Sequence, residues 1–413
     1  MKLRNRFLAT LLAGCMLFGV TACGGSTTQE APAQEEAATE EAETEAAEEP
    51  AAEAEAAEET EVAAAETETG DTHTVVDHDG REVEVPNEIN RVVISGILPL
   101  ASVYCLFDGS ADKLVGMHPS SMAAAQNSHL AKVFPNVLNA STDFVQGGVI
   151  NAEELLKLEP DVVLYLAGNE DEYNIITQAG LTAVGVSPSK FEWDSIKTFE
   201  AWVKLLGEVF NEQDKAAGIV EYGYQVQEEI LSKLEEAGED LERPRAMVLF
   251  NYGTGTITTS GSNHFGQYWL TTTGAENAAE GVTGNAEINM ETIYEWDPEI
   301  IYITNFSPAL PEDLYSNAVG EDDWSSVSAV KNKQVYKFPL GMYRWYPPAS
   351  DTPLVLQWLA KHNQPELFAD IDMEQEMKDY YQRFYGVELT DDDINEIFNP
   401  AREASGHKLN EGG

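Results

Sequence analysis

Apolar positions along the chain follow two rhythms. Short, mostly β-branched runs appear at "RVVIS", "VVLYL", "AVGVS", "AMVLF" and "IIYIT". Runs of this length and composition suit strands buried on both faces of a parallel sheet. Between them apolar residues recur at three and four, as in "SIKTFEAWVKLLG" from Ser195 to Gly207. That spacing predicts amphipathic helices. A longer periodic stretch runs from about Glu212 to Ala237 and, as a helix, spans roughly 39 Å. "LPLASVYCLFDG", "HFGQYWLTTTG" (ending at Gly274), "ASDTPLVLQWLAKHN" and "DMEQEMKDYYQRFYG" predict further helices, the last two closing the fold. "LVGM" and "QVYKFP" read as strands, and "THTVVDHDGREVEVP" as a hairpin turning at Asp79-Gly80. Strands alternating with helices predict an α/β fold with parallel-rich sheets flanked by helices. From Pro400 the tail is polar and is expected to fray.

One sentence is written twice. "NAEELLKLEPDVVLYL" begins at Asn151 and "NMETIYEWDPEIIYIT" at Asn289, 138 residues later. Asn151 and Asn289 can each cap a helix. Glu153 and Glu291 then fall in the first turn, where the helix dipole favours an anion. Leu155 and Leu158, matched by Ile293 and Trp296, share one helical face. Pro160 and Pro298 stop the helix, and an apolar strand follows. Any α/β protein contains helix–turn–strand units, but the agreement here extends over many spaced positions. Two copies argue for two similar lobes rather than a solenoid. The expected organisation is an N-terminal lobe at 72–211, one inter-lobe helix at 212–238, a C-terminal lobe at 239–399 and a polar tail at 400–413.

The N-terminus belongs to neither lobe. Lys2, Arg4 and Arg6 precede "FLATLLAGCMLFGV" and then "TACGG". A basic head, a short apolar middle and small residues at the end read as a secretory signal over 1–22. Val20-Thr21-Ala22-Cys23 resembles a bacterial lipobox, which implies that Cys23 becomes the lipidated first residue. The alternative is an ordinary signal peptide with an incidental cysteine. Gly24 to Gly70 is mostly Glu, Ala and Thr without Lys or Arg. Such a stretch buries too little to offset chain entropy, so 23–71 reads as an acidic tether. The 47 residues from Gly24 to Gly70 would span roughly 40 Å as a coil.

Charge and cysteine use narrow the choice. The net charge is −48, which argues against nucleic acid, whose phosphates call for Lys and Arg. With Cys15 in the signal and Cys23 at its end, Cys105 stands alone in "LPLASVYCLF". It forms no intramolecular disulfide and reads as a small core residue. HExxH, G-x-S-x-G and paired Cys/His signatures are absent from the sequence, which points away from an enzyme. A lipid-anchored extracellular enzyme or a surface adhesin remains the alternative from another class.

The order of these segments resembles the iron-complex/cobalamin class of solute-binding lipoproteins that feed ABC importers. The resemblance runs from about Thr72 to Leu389. It is carried by "TVVDHDGREVEVP…RVV", "DKLVGM", "NAEELLKLEPDVVLYL", "ITQAGLTAVGV", the long helix, "TTTGAENAA", "NMETIYEWDPEIIYI" and "SAVKNKQVYKFP". It implies two α/β lobes braced by one rigid helix, with ligand held in the cleft between them. The implied partners are a small-molecule metal chelate and the permease and ATPase of an importer. A ferric siderophore is favoured over a corrinoid or haem. The implied setting is extracytoplasmic, lipid-anchored to the membrane and monomeric, with no enzyme activity and no cofactor required.

In open α/β sheets ligands bind beyond the carboxyl ends of the strands. That rule nominates Pro99, Met117, His118 and Tyr252, with Ile97, Leu98 and Phe306 nearby. The richest stretch is "GMYRWYPPASD", where Tyr343, Arg344 and Trp345 would offer a planar cation and stacking faces to an anionic ligand. The alternative is a packed loop in which Arg344 pairs with a local acid. His118 and His264 are candidate axial ligands of a metal complex, although no zinc-type cluster is present in the sequence. The resemblance also implies one surface acid per lobe that docks the permease: Glu170, and Glu312 or Asp313.

Overall fold

The computed structural model describes residues 70–253 and 255–409. The signal stretch, Cys23 and nearly all of the acidic tether lie outside the described residues.

The hairpin forms first, Thr72–Val76 pairing antiparallel with Glu82–Pro86 around Gly80, whose φ is +81°. Four parallel strands then build one sheet in the spatial order Leu114–Met117, Val92–Ile94, Val162–Leu166, Ala183–Val186. The second sheet is mixed. Its parallel part joins Arg245–Asn251, Ile300–Ile303 and Val335–Lys337, while Ile257–Ser260 and Asn285–Ile288 add an antiparallel edge. The sequence reading did not foresee this edge. "TITTS" is a polar β-branched run, with only Ile257 apolar, and it lacks the continuous apolar signature of the other strands.

The repeated unit folds as its sequence demands, twice. The Asn151 side chain accepts from the Glu153 and Glu154 N–H groups, and Asn289 accepts from Thr292 N–H. Before each proline one residue enters the left-handed region, Glu159 at φ +43° and Asp297 at φ +40°. The acid after each proline ties the turn to a neighbouring strand. Asp161 accepts from the N–H groups of Asn90 and Arg91, and Glu299 from that of Arg245. The two arginines close the motif by donating to turn carbonyls, Arg91 to Leu158 and Glu159, Arg245 to Asp297. The repeat is therefore a clasp between the start of one strand and the turn before its neighbour.

Gln213–Ala237 forms one continuous helix of 25 residues. It follows the first sheet and precedes the second, and its buried face joins an apolar cluster that both sheets also enter. Successive strand residues point to opposite faces. Val162 and Leu164 face one apolar cluster, and Val163 and Tyr165 another. In the second sheet Val248 and Tyr302 join the same large cluster as Val162, while Met247, Leu249 and Ile301 form a third. The inward faces of both sheets thus share one core, filled by the helix Ser195–Val209 and the long helix. The described residues fall in one compact unit.

The C-terminus also departs from expectation. A third closing helix, Asp391–Phe398, is capped by a Thr390/Asp393 box. Within the described part of the tail, Arg402 is tied down. Arg402 forms a two-pronged pair with Asp313, at 2.7 and 3.1 Å, and donates to the Pro308 carbonyl.

Candidate functional site

Half-buried aromatic side chains collect where the second sheet's strands end. Phe250 closes the strand Arg245–Asn251, and Phe306 lies just beyond Ile300–Ile303. Their rings stack at 5.1 Å. Phe250 meets His264 edge-on at 6.4 Å, and His264 stacks on Trp193 at 4.6 Å. Trp193 comes from the first half of the chain, in the loop after Ala183–Val186. Glu192 and Trp193 both hold positive φ, +56° and +60°. Such backbone is costly for non-glycine residues and concentrates at functional sites. At the other end the Arg344 guanidinium sits 4.5 Å above the Phe306 ring. Trp193, His264, Phe250, Phe306 and Arg344 form one ribbon, and each is only half-buried.

Charge along the ribbon is set by burial. His264 is pushed down to about 4 by desolvation and is neutral at ordinary pH. The Tyr346 hydroxyl donates to Ser260 Oγ at 2.6 Å and lies 2.7 Å from His264 Nδ1. In the tautomer that donates through Nδ1–H to Tyr346, Nε2 carries the lone pair. Arg344 has no carboxylate partner among the described residues. It donates to the backbone carbonyls of Ala404 and Ser405, at 3.2 and 3.4 Å, and its neighbour in the turn, the Tyr343 phenol, is its one side-chain hydrogen-bonding partner among the described residues. The Phe306 loop is set by a second cation. Lys337 is buried, and its ammonium donates to the carbonyls of Thr304, Ser307 and Ala309 at 2.6–2.9 Å. Desolvation, with Arg402 and Arg344 nearby, lowers it to about 7.

The first sheet's strand ends form a different surface. Ser95, Gly96, His118, Leu166, Asn169 and Glu172 line a hollow of about 320 Å³. His118 Nδ1 accepts the Ser120 N–H at 3.1 Å, so the imidazole caps the helix Pro119–Gln126. Glu172 is buried, accepts from the Asn169 amide at 2.9 Å, and is raised by desolvation against the pull of Ser95 and Asn169. Among the described residues no three His, Cys, Asp or Glu side chains converge to hold a metal ion.

The structure sorts the residues nominated from sequence. Arg344 and His264 lie on the ribbon with Phe306, and the local acid considered for Arg344 does not pair with it. Trp345 does not offer a stacking face. It is 1% exposed, and its indole N–H donates to Asp351. Tyr343 is 3% exposed and packs with Ala124, Ala349 and Leu98. Tyr252 points away from the ribbon, its hydroxyl donating to Asp322 and accepting from the Trp324 indole. Pro99 and Met117 are buried in packing. Glu170 is exposed and held by Arg81, which is itself paired with Asp79. Glu312 is exposed, whereas Asp313 is occupied by Arg402. Trp193 and Phe250 were missed. The signal for Trp193 was an aromatic inside "SKFEWDS", a polar stretch following a strand.

Comparison with known proteins bears on this geometry. Residues 100–340 match the model of a family described as periplasmic binding protein. The chain is 25% identical over 332 residues to the molybdate-binding protein MolA of Haemophilus influenzae, covering 75% of this chain and 90% of MolA. It is 24% identical over 268 residues to YvrC of Bacillus subtilis, an uncharacterized ABC transporter substrate-binding lipoprotein, covering 64% of this chain and 77% of YvrC. The crystal structure of a periplasmic solute binding protein from Veillonella parvula superposes with a TM-score of 0.72 at 32% identity, covering 79% of this chain and 97% of that one. With a clasped two-sheet fold and a family match across more than half its length, the chain belongs to the periplasmic binding protein family, as a solute-binding protein of the ABC-transporter class and not an enzyme.

Proposed function

We propose that the chain captures an anionic metal chelate, a ferric siderophore, on the ribbon from Trp193 to Arg344 and delivers it to the permease and ATPase of an importer. The observation that carries this reading is Arg344. A half-buried guanidinium with no acid partner, resting on an aromatic ring, is available for a catecholate or carboxylate. The stacked rings beside it favour a flat organic ligand over a bare ion. MolA binds an oxyanion, molybdate, which agrees with an anion at this place. A second reading, a corrinoid or haem, draws on the His264 Nε2 lone pair as an axial ligand. Lipid attachment at Cys23, a monomeric state and an extracytoplasmic setting complete the proposal, and the lipoprotein YvrC supports the anchor.

The test is titration of a ferric tris-catecholate, followed by quenching of tryptophan emission. Saturable quenching is expected, with affinity lost about tenfold or more in Arg344→Ala, since hydrogen bonds to a charged group contribute about 1.5–3 kcal/mol. No saturation, or an unchanged affinity in the variant, refutes the reading. Docking is proposed through Glu170 and Glu312. Reversing both charges should lower uptake while leaving chelate affinity intact, and lost affinity would refute that role.

A further inference from the structure

The turn that presents Arg344 is held from inside by a single carboxylate. Leu340 and Arg344 bridge antiparallel, and Trp345 N–H donates to the Pro339 carbonyl, closing a tight loop. Asp351 fills its interior. One oxygen, Oδ2, accepts from Met342 N–H at 2.6 Å and from the Trp345 indole at 3.0 Å. The approach is so close that a Cβ on Gly341 would lie 2.1 Å from that oxygen, so only glycine fits there. The first half of the chain braces the same loop: His129 N–H donates to the Gly341 carbonyl at 2.9 Å and Ser128 Oγ to that of Met342 at 3.2 Å.

Asp351 occupies an unusual place for this work. It is the N-cap residue of the helix Thr352–Asn363, yet its side chain makes no cap hydrogen bond. An aspartate there ordinarily accepts the first-turn N–H groups of its own helix, and this one serves the turn instead. It is fully buried, and no cation is among its hydrogen-bond or ion-pair partners. Its other oxygen makes no close hydrogen bond, although the Tyr343 N–H and the Tyr385 hydroxyl lie near enough to favour its charged form. Around it the helix Met373–Tyr385 supplies Tyr380, Tyr381 and Tyr385, and Asp393 of the last helix lies beyond Tyr381. A buried carboxylate without a cation is expensive to keep. Its hydrogen bonds go to the one turn that carries the Arg344 guanidinium.

We propose that Asp351 is a positioning residue for ligand capture: its carboxylate sets the turn Leu340–Trp345 so that Arg344 stands over Phe306 at the end of the ribbon. The inference rests on the ribbon being the ligand site. Burial raises the Asp351 carboxyl to about 7, so it changes charge within the ordinary pH range. Ionised, Oδ2 holds the two N–H groups by charge-assisted bonds; protonated, it holds them more weakly. If the looser turn is correctly formed one-tenth of the time, apparent affinity falls about tenfold.

Asp351→Asn tests this against ferric tris-catecholate, with Arg344→Ala alongside. The expected result is a melting temperature equal to or above that of the native protein, because a buried charge is gone, with affinity about tenfold weaker at pH 8. Lys337 also titrates near pH 7 and gains charge as pH falls, so the test is a comparison: from pH 8 to pH 6 native affinity should fall relative to that of Asp351→Asn, and the two should converge at pH 6. The indole N–H resonance of Trp345 in the native protein gives a readout that needs neither ligand nor variant, and it should titrate over the same range. An indole signal that does not move, or an Asp351→Asn affinity equal to native while Arg344→Ala loses binding, overturns the inference and leaves the site reading standing. Unchanged binding in Arg344→Ala overturns the site reading and the inference with it.

Discussion

The strands Val162–Leu166 and Ile300–Ile303 hold equivalent places. Each is interior to its sheet, each follows an Asn-capped helix and a proline, and each is clasped by an arginine from a neighbouring strand. What comes after them differs in sign. Beyond Leu166 the chain turns into Asn169-Glu170-Asp171-Glu172, three acids at a helix N-terminus, with Glu172 buried. Beyond Ile303 it turns into Asn305-Phe306-Ser307, gathered around the buried ammonium of Lys337 and roofed by Arg344. One scaffold, used twice, therefore carries an acidic end and a cationic, aromatic end. A ligand is selected by the ends, and the duplicated part only sets their height and direction. In a chain of net charge −48, an arginine without a carboxylate partner among the described residues marks where an anion is tolerated.

Each buried ion can be used to break this contrast. The largest effect is expected at Lys337. Lys337→Met strands three carbonyls and should cost about 3 kcal/mol in chemical denaturation. The pH dependence has a definite sign. The folded pKa, about 7, lies below that of the unfolded chain. The unfolded state therefore binds more protons between pH 7 and about 10.4, and this group's contribution rises with pH there. The native protein should gain stability relative to Lys337→Met across that window, and parallel curves would refute the assignment.

Glu172 should respond in the opposite sense, and by less. Its folded pKa is raised by burial, so its contribution is most favourable at acid pH and declines as pH climbs past about 4.3, the unfolded value. Glu172→Gln keeps an acceptor for the Asn169 amide and removes the desolvated charge. A gain of about 1 kcal/mol at pH 7 is expected, vanishing below pH 4. A loss at neutral pH would mean that the acidic end depends on this charge.

Much of the scaffold was legible, because apolar runs and the doubled motif report directly on burial and capping. Residues 213–237 and the hairpin at Gly80 fall where the pattern puts them. The site was legible only in part, since ring exposure depends on tertiary packing. Tyr343, Arg344 and Trp345 read as three equal candidates, yet alternate side chains of a tight turn point to opposite sides, and only Arg344 emerges. Trp193 sits on strained backbone that no propensity scale anticipates. The Asp391–Phe398 helix was hidden because "DDDINEIF" is too short and acidic to show a clear period, although Thr390 and Asp393 form a cap readable from spacing.

The smallest expected effect separates the two copies of the scaffold itself. Asn151 accepts two backbone N–H groups, at 2.9 and 3.1 Å. Asn289 accepts one, at 3.0 Å, and shares its oxygen with the Thr292 hydroxyl at 3.2 Å. Removing a cap typically costs about 1 kcal/mol. Asn151→Ala should therefore lose about 1 kcal/mol and Asn289→Ala about half of that, because water can replace the single bond at the exposed Asn289 more easily. Both should leave chelate affinity unchanged, since neither helix start belongs to the ribbon. Equal losses would show that the two copies are energetically interchangeable. An affinity change at Asn289 alone would show that the clasp transmits to the Phe306 loop, and that the duplicated unit does more than support its end.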